Sequence, residues 1–196
     1  MNAATFRSSA QRGIVLISSL LLLLIVTIIA ISMFRSFGVQ ERIAGNMREK
    51  HRALQAAESA QQFAEWWITS ATNANTTSVC VAGVLNANVA NAGQICSNTL
   101  PTVTPAVTTV PWTIAGAPIG VNYTPPGMIL NAAAPAAGTY YAPPRFYVSL
   151  LGTSATGQGL VYQVDSYGYG GTSEAVAVVE STYLVSASVQ CIACGQ

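Results

Sequence analysis

From residue 14 to residue 34 the chain carries no charge, and only Ser18, Ser19, Thr27 and Ser32 interrupt its apolar side chains. About 20 such residues in a helix rising 1.5 Å each span the ~30 Å hydrocarbon core of a bilayer. The run reads as a transmembrane helix, and every other assignment has to accommodate it. Residues 1–13 are polar, with Arg7 and Arg12 as their charges. An ordinary secretory signal has an apolar region of about 7–15 residues followed by a small-residue cleavage site. Ala30-Ile31-Ser32 has the form of such a site, but the run before it is too long. Two readings remain: an uncleaved anchor, or a leader cut between Gly13 and Ile14 whose removal leaves the anchor on the mature chain. Gly13 at the polar-to-apolar boundary, directly behind a basic residue, favours the second. Flanking charge does not orient the segment, since Arg35, Arg42 and Arg48 follow it as closely as Arg7 and Arg12 precede it.

The helical pattern does not stop at residue 34. No proline occurs before Pro101, and Val39, Ile43 and Met47 recur at four-residue spacing. Ala53, Ala57, Ala60, Ala64 and Trp67 continue at the three-and-four spacing of one helical face, a stripe of small residues against which a sheet can approach closely. Arg48, Glu49, Arg52, Glu58 and Glu65 fall mostly on other faces. Gly38 and Gly45 each cost about 1 kcal/mol relative to Ala and mark points of local bending. The expected helix runs from Ile14 to about Thr69, roughly 84 Å at 1.5 Å per residue. A coiled-coil stalk is disfavoured because Lys50 and Gln61 fall on its seam.

Beyond residue 67 the chain is nearly neutral: Arg145, Asp165, Glu174 and Glu180 are its only charges. Overall, charged residues are 8% of the chain, hydrophobic residues are 51% and the formal net charge is +1, so no global field exists to steer nucleic acid. Residues 70–143 are rich in Asn, Thr, Ala, Pro and Gly and read as a loop-rich insertion, with short strands around 111–114 and 128–130. Residues 144–196 read as sheet and tail: runs at 146–151, 160–165 and 175–185, with turns at 152–157 and 168–173, predict an antiparallel meander. Packed on the alanine stripe, it makes an α+β fold.

Four cysteines, Cys80, Cys96, Cys191 and Cys194, all follow the apolar run, which suits disulfides in an oxidising compartment. They allow three pairings. Short loop closure within each pair favours Cys80 with Cys96 and Cys191 with Cys194. The CxxC at 191–194 lacks the βαβ context of a redox site and supplies too few ligands for structural zinc. His51 is the lone histidine, placed in the charged half of the helix. Asp165, Glu174 and Glu180 are too sparse for a calcium cage, and Gly168-Tyr169-Gly170-Gly171 reads as a hairpin turn rather than a phosphate loop. Tyr140, Tyr141, Tyr167 and Tyr169 suit packing better than adhesion. No catalytic, metal or cofactor site emerges, and an enzyme is not expected.

Gln11-Arg12-Gly13-Ile14-Val15-Leu16, the uncharged run with Thr27, Glu41-Arg42-Ile43-Ala44-Gly45-Asn46 and Ala53-Leu54-Gln55-Ala56-Ala57-Glu58 together resemble the N-terminal region of PilX-type minor pilins. Gly168-Tyr169-Gly170 followed by Val179-Glu180-Ser181-Thr182-Tyr183 resembles the end of such proteins. The resemblance singles out Glu41, Ala44, Gly45, Asn46, Ala56, Ala57 and Glu58 as family positions. It implies a pilin-like fold in which residues 14–34 and 35–69 are the membrane and periplasmic halves of one helix. It further implies cleavage by prepilin peptidase after Gly13, N-methylation of Ile14, and residence in the inner membrane before assembly into a type IV pilus. Implied partners are other minor pilins, the major pilin, a tip adhesin and membrane lipid, with no nucleic acid. Adhesion and twitching are the phenotypes implied. Pilins usually carry Phe first and Glu fifth in the mature chain, where Ile14 and Ser18 stand here. A pseudopilin of a type II secretion system and a non-polymerising membrane-anchored binding module are the rival readings.

Overall fold

The computed structural model describes residues 12–70, 73–87, 93–104, 106–133 and 138–186. They open on helix α1 (Arg12–Thr69), which begins two residues before the expected start. No proline breaks it, and its end is held by polar side chains. The Thr69 and Ser70 hydroxyls both donate to the Trp66 carbonyl at 2.8 Å, and the Asn73 amide donates to the Trp67 carbonyl at 2.8 Å. These groups satisfy carbonyls that a helix terminus leaves without partners. The chain divides after Gly45 into two units, the second running from Asn46 onward.

In the second unit eight described strands form a mixed sheet: β1 (Thr77–Ser78), β2 (Gly83–Asn86), β3 (Ile95–Cys96), β4 (Thr113–Ile114), β5 (Ala117–Asn122), β6 (Arg145–Thr153), β7 (Gly159–Tyr169) and β8 (Val176–Ser186). A four-residue helix, α2 (Leu100–Val103), lies between β3 and β4. The expected antiparallel meander is present as β6–β7–β8, with Val148 opposite Val164 and Val164 opposite Ser181. The whole sheet is not antiparallel, however. On its other edge β6 pairs antiparallel with β5 and then parallel with β3, and the parallel pairs β2–β5 and β1–β3 extend the sheet. The 70–143 segment is thus loop-rich but also supplies five short strands. At 111–114 only Thr113 and Ile114 are strand, and of 128–130 only Leu130 forms a bridge, to Tyr140.

The sheet has two apolar faces. Against α1 lie Ile95, Val121, Phe146, Val148, Tyr162 and Val164, which meet Ala60, Ala64 and Ile68. The Tyr162 hydroxyl donates to the Ala74 carbonyl, so this buried phenol has a partner. The stripe that faces the sheet ends on Ile68, 1% exposed, rather than on Trp67, which is half-buried. On the opposite face Tyr147, Tyr167, Tyr169 and Ile119 lie beneath a strap, residues 97–104 and 106–114, whose Leu100 and Trp112 are fully buried. Trp112 meets Tyr167 edge-on at 4.7 Å. Ile119 and Val121, two apart on β5, serve different faces because Gly120 between them adopts φ +98°, a conformation that turns the strand.

Candidate functional site

The segment that carries the membrane signal is exposed along its length. Among the described residues α1 is the helix long and apolar enough to cross a bilayer, and none of its apolar window is buried within the chain. Ile14 is 72% exposed. Inside this segment the Ser18 hydroxyl donates to the Val15 carbonyl at 3.0 Å, Ser19 to Leu16 at 3.0 Å and Thr27 to Leu24 at 2.8 Å. Each hydroxyl is therefore satisfied on its own helix, which removes the cost of placing it in hydrocarbon.

Further along, the family positions separate into two groups. Glu41, Ala44, Gly45, Asn46 and Glu58 are exposed, whereas Ala56 and Ala57 are buried against β7. There Gly168 does something a hairpin turn does not require. A Cβ at that position would stand 2.5 Å from the Ala57 nitrogen, 2.7 Å from the Ala56 Cβ and 2.8 Å from the Ala53 carbonyl oxygen. Gly170, on the same side of the chain, would meet the Glu49 carbonyl at 2.6 Å. The expected turn at 168–173 is corrected accordingly: Gly168 and Tyr169 end β7, and the turn is closed by the Gly170 N–H bonding the Ala175 carbonyl at 2.7 Å. Helix and strand approach so closely that neither can carry a larger side chain at the seam.

Charged groups of α1 grip that turn. The Gly171 N–H donates to Glu49 Oε2 at 2.6 Å, Arg52 Nη1 pairs with the same carboxylate at 3.0 Å, and Arg52 Nη2 donates to the Thr139 carbonyl. Arg52 also lies 4.5 Å over the Tyr140 ring, and Lys50 donates to the Val176 carbonyl at 2.7 Å. Burial alone would raise the Glu49 carboxyl, but the Gly171 bond and the Arg52 and Arg48 guanidiniums hold it below its ordinary value. The sequence reading placed Glu49 and Arg52 on other faces; their reach of 122 and 87 residues along the chain leaves no local signal.

Cys80 and Cys96 form the expected disulfide, with Cα atoms 5.2 Å apart. Cys191 and Cys194 lie outside the described residues. Gly13 lies in α1, Ser18 lies one turn into it from Ile14, and His51 is exposed. Tyr167 and Tyr169 are buried while Tyr140 and Tyr141 are half-buried, so all four pack within the domain. Among the described residues no three His, Cys, Asp or Glu side chains gather to hold a metal ion.

Residues 12–61 match the family model described as PilX N-terminal. This stretch is similar to the N-terminal region of PilX-type pilins. The matched span holds the apolar segment and the seam alanines, so it combines the membrane-compatible surface with the contact to the sheet. The PilX family is one of structural pilins, so the match supports a type IV pilus-related reading, and the apolar helix fits a membrane-anchored chain. No curated protein and no solved structure matches the chain.

Proposed function

We propose that this chain is a minor pilin that primes assembly of a type IV pilus and sits at or near its tip. Prepilin peptidase cuts after Gly13, so that the mature chain begins at Ile14 and carries one N-methyl group. The domain from Asn46 onward then faces the periplasm, a reading supported by the Cys80–Cys96 disulfide, which needs an oxidising compartment. Before assembly the subunit resides in the inner membrane; afterwards it joins other minor pilins, the major pilin and a tip adhesin on the filament.

The observation that carries the tip assignment is Ser18. At the fifth mature position a carboxylate would meet a neighbour's N-terminal amine within the membrane. Unpaired there, about 6 Å from the start of the apolar run, it carries a cost below the value of about 2.5–3.5 kcal/mol at the bilayer centre. Ser18 avoids that cost, and its neutral hydroxyl, donating to the Val15 carbonyl, offers no opposite charge to the amine of a subunit ahead of it. A subunit with nothing ahead of it loses nothing by the exchange.

Peptide mass mapping of the membrane-extracted protein should return N-methylated Ile14 as the first residue; retention of residues 1–13, or a cut near Ser32, rejects the processing. Immunogold labelling of sheared pili should mark filament ends, and deletion should reduce pilus number more than pilus length. Labels spread along the shaft reject the tip position. Normal piliation with lost protein secretion assigns the chain to a type II secretion system instead.

A further inference from the structure

Asp165 stands in the middle of β7 with no exposed surface. Its side chain points to the strap face, where Gln163 donates to its Oδ1 at 3.1 Å, its Oδ2 has no partner, and the Glu180 carboxyl on β8 lies close enough to share its proton. The Ser149 hydroxyl, on β6 opposite Gln163, is also buried and unpartnered, as is the Thr104 hydroxyl of the strap. A carboxylate so placed has lost its water and gained almost nothing in return.

The surroundings offer no counter-charge. Directly opposite Asp165 on β6 is Tyr147, whose hydroxyl is committed to the Asn98 carbonyl of the strap at 2.9 Å. Opposite on β8 is Glu180, a like charge. Tyr167 and Tyr169 continue the face along β7, and the nearest cation on β6, Arg145, lies 5.7 Å over the Tyr167 ring and bonds to Asn122 and the Ile119 carbonyl. The strap itself contains no charged residue, and α1 packs on the other face, where Glu65 receives its bond from Ser181.

We propose that Asp165 is a proton-controlled latch, neutral when the strap is closed, so that loss of its proton and release of the strap from the sheet are coupled. Burial, and then the charge of Glu180, push its carboxyl up to about 7, in keeping with this geometry. Tyr147 and Tyr167 are pushed up by burial to about 12 and do not titrate in the same range. Because the closed form binds the proton more tightly than the open form, closure weakens as pH rises from the solvated value of 3.8 towards 7 and levels off above it. The subunit thus carries a surface layer that is clamped in acid and loosened at neutral pH.

Hydrogen–deuterium exchange on the full chain in detergent micelles at pH 5, 6, 7 and 8, corrected for the intrinsic exchange rate, tests the latch. Protection of peptides covering 97–114 should fall roughly 50-fold between pH 5 and pH 7 and change little above, while 146–153 keeps its protection. Asp165→Asn should hold the strap protected and pH-independent. Constant strap protection in the unaltered chain, or the same pH dependence in Asp165→Asn, overturns the proposal. If that variant does not fold, Glu180→Gln serves: removing the like charge should move the levelling-off to lower pH, and an unmoved profile overturns the proposal equally.

Discussion

Replacing Gly168 with Ala adds one methyl group at the tightest point of the helix–sheet seam. That Cβ would meet the Ala57 nitrogen at 2.5 Å, the Ala56 Cβ at 2.7 Å and the Ala53 oxygen at 2.8 Å. Two of these atoms are helix backbone and the third is a Cβ fixed to it, so no rotamer change relieves the overlap. Helix and strand must separate by about 1 Å to restore ordinary contact, and overpacking of this kind costs about 1–3 kcal/mol. Against this stands the gain of about 0.5–1 kcal/mol that Ala brings over Gly within a strand. A net loss centred on about 1 kcal/mol, and reaching about 2.5 kcal/mol, lowers the Tm by roughly 2–10 °C in a chain of this size. Gly45→Ala is the matched control: a Cβ there meets nothing within 4 Å, and the helical backbone gains about 1 kcal/mol. Thermal unfolding of both variants in detergent micelles, followed by near-ultraviolet circular dichroism, separates the two effects. A Gly168→Ala protein as stable as the parent, or more stable, would refute the claim that close approach explains this glycine.

Two further predictions concern the grip on the turn and the disulfide. Glu49→Gln strands a guanidinium that is 15% exposed and weakens the Gly171 bond, a loss of about 1–3 kcal/mol. Since the Glu49 carboxyl is held below its solvated value of 4.5, its contribution is present above that pH and disappears as acid protonates it. The Tm should therefore drop below about pH 4.5 in the parent, and this acid-dependent component should be missing in Glu49→Gln when the two curves are compared. Replacing Cys80 and Cys96 together with Ser opens a loop spanning 16 positions and should cost about 3 kcal/mol in denaturant unfolding; a smaller change than 1 kcal/mol would show that β1–β3 pairing alone holds the segment.

The α+β plan was legible because its two largest parts carry local signals. An uncharged run and an alanine stripe mark α1, and runs of strand-forming residues bounded by glycine turns mark β6, β7 and β8 to within a few residues. Gly168 and Gly170 misled for a physical reason: two glycines near a loop look like turn chemistry, while here they clear space for a helix more than a hundred residues earlier. The parallel pairs β1–β3, β2–β5 and β3–β6 were invisible for a related reason, since strands of two to four residues set among prolines acquire their register only from distant partners. At the site, the Cys80–Cys96 pair could be named from its position. Glu49, Arg52 and Asp165 could not be assigned their places, because what distinguishes them is what the fold brings against them.

From residue 66 to residue 144 there is no Asp, Glu, Lys, Arg or His, and this stretch supplies the strap and five of the eight described strands. Any contact made through that layer must rest on shape, apolar area and neutral hydrogen bonds. Such contacts receive no help from long-range attraction, so encounters through this layer should form at the unsteered rate of about 10⁵–10⁶ per molar per second. Once formed, they have no ion pairs for salt to screen. A surface of this kind holds alike in fresh water and in brine.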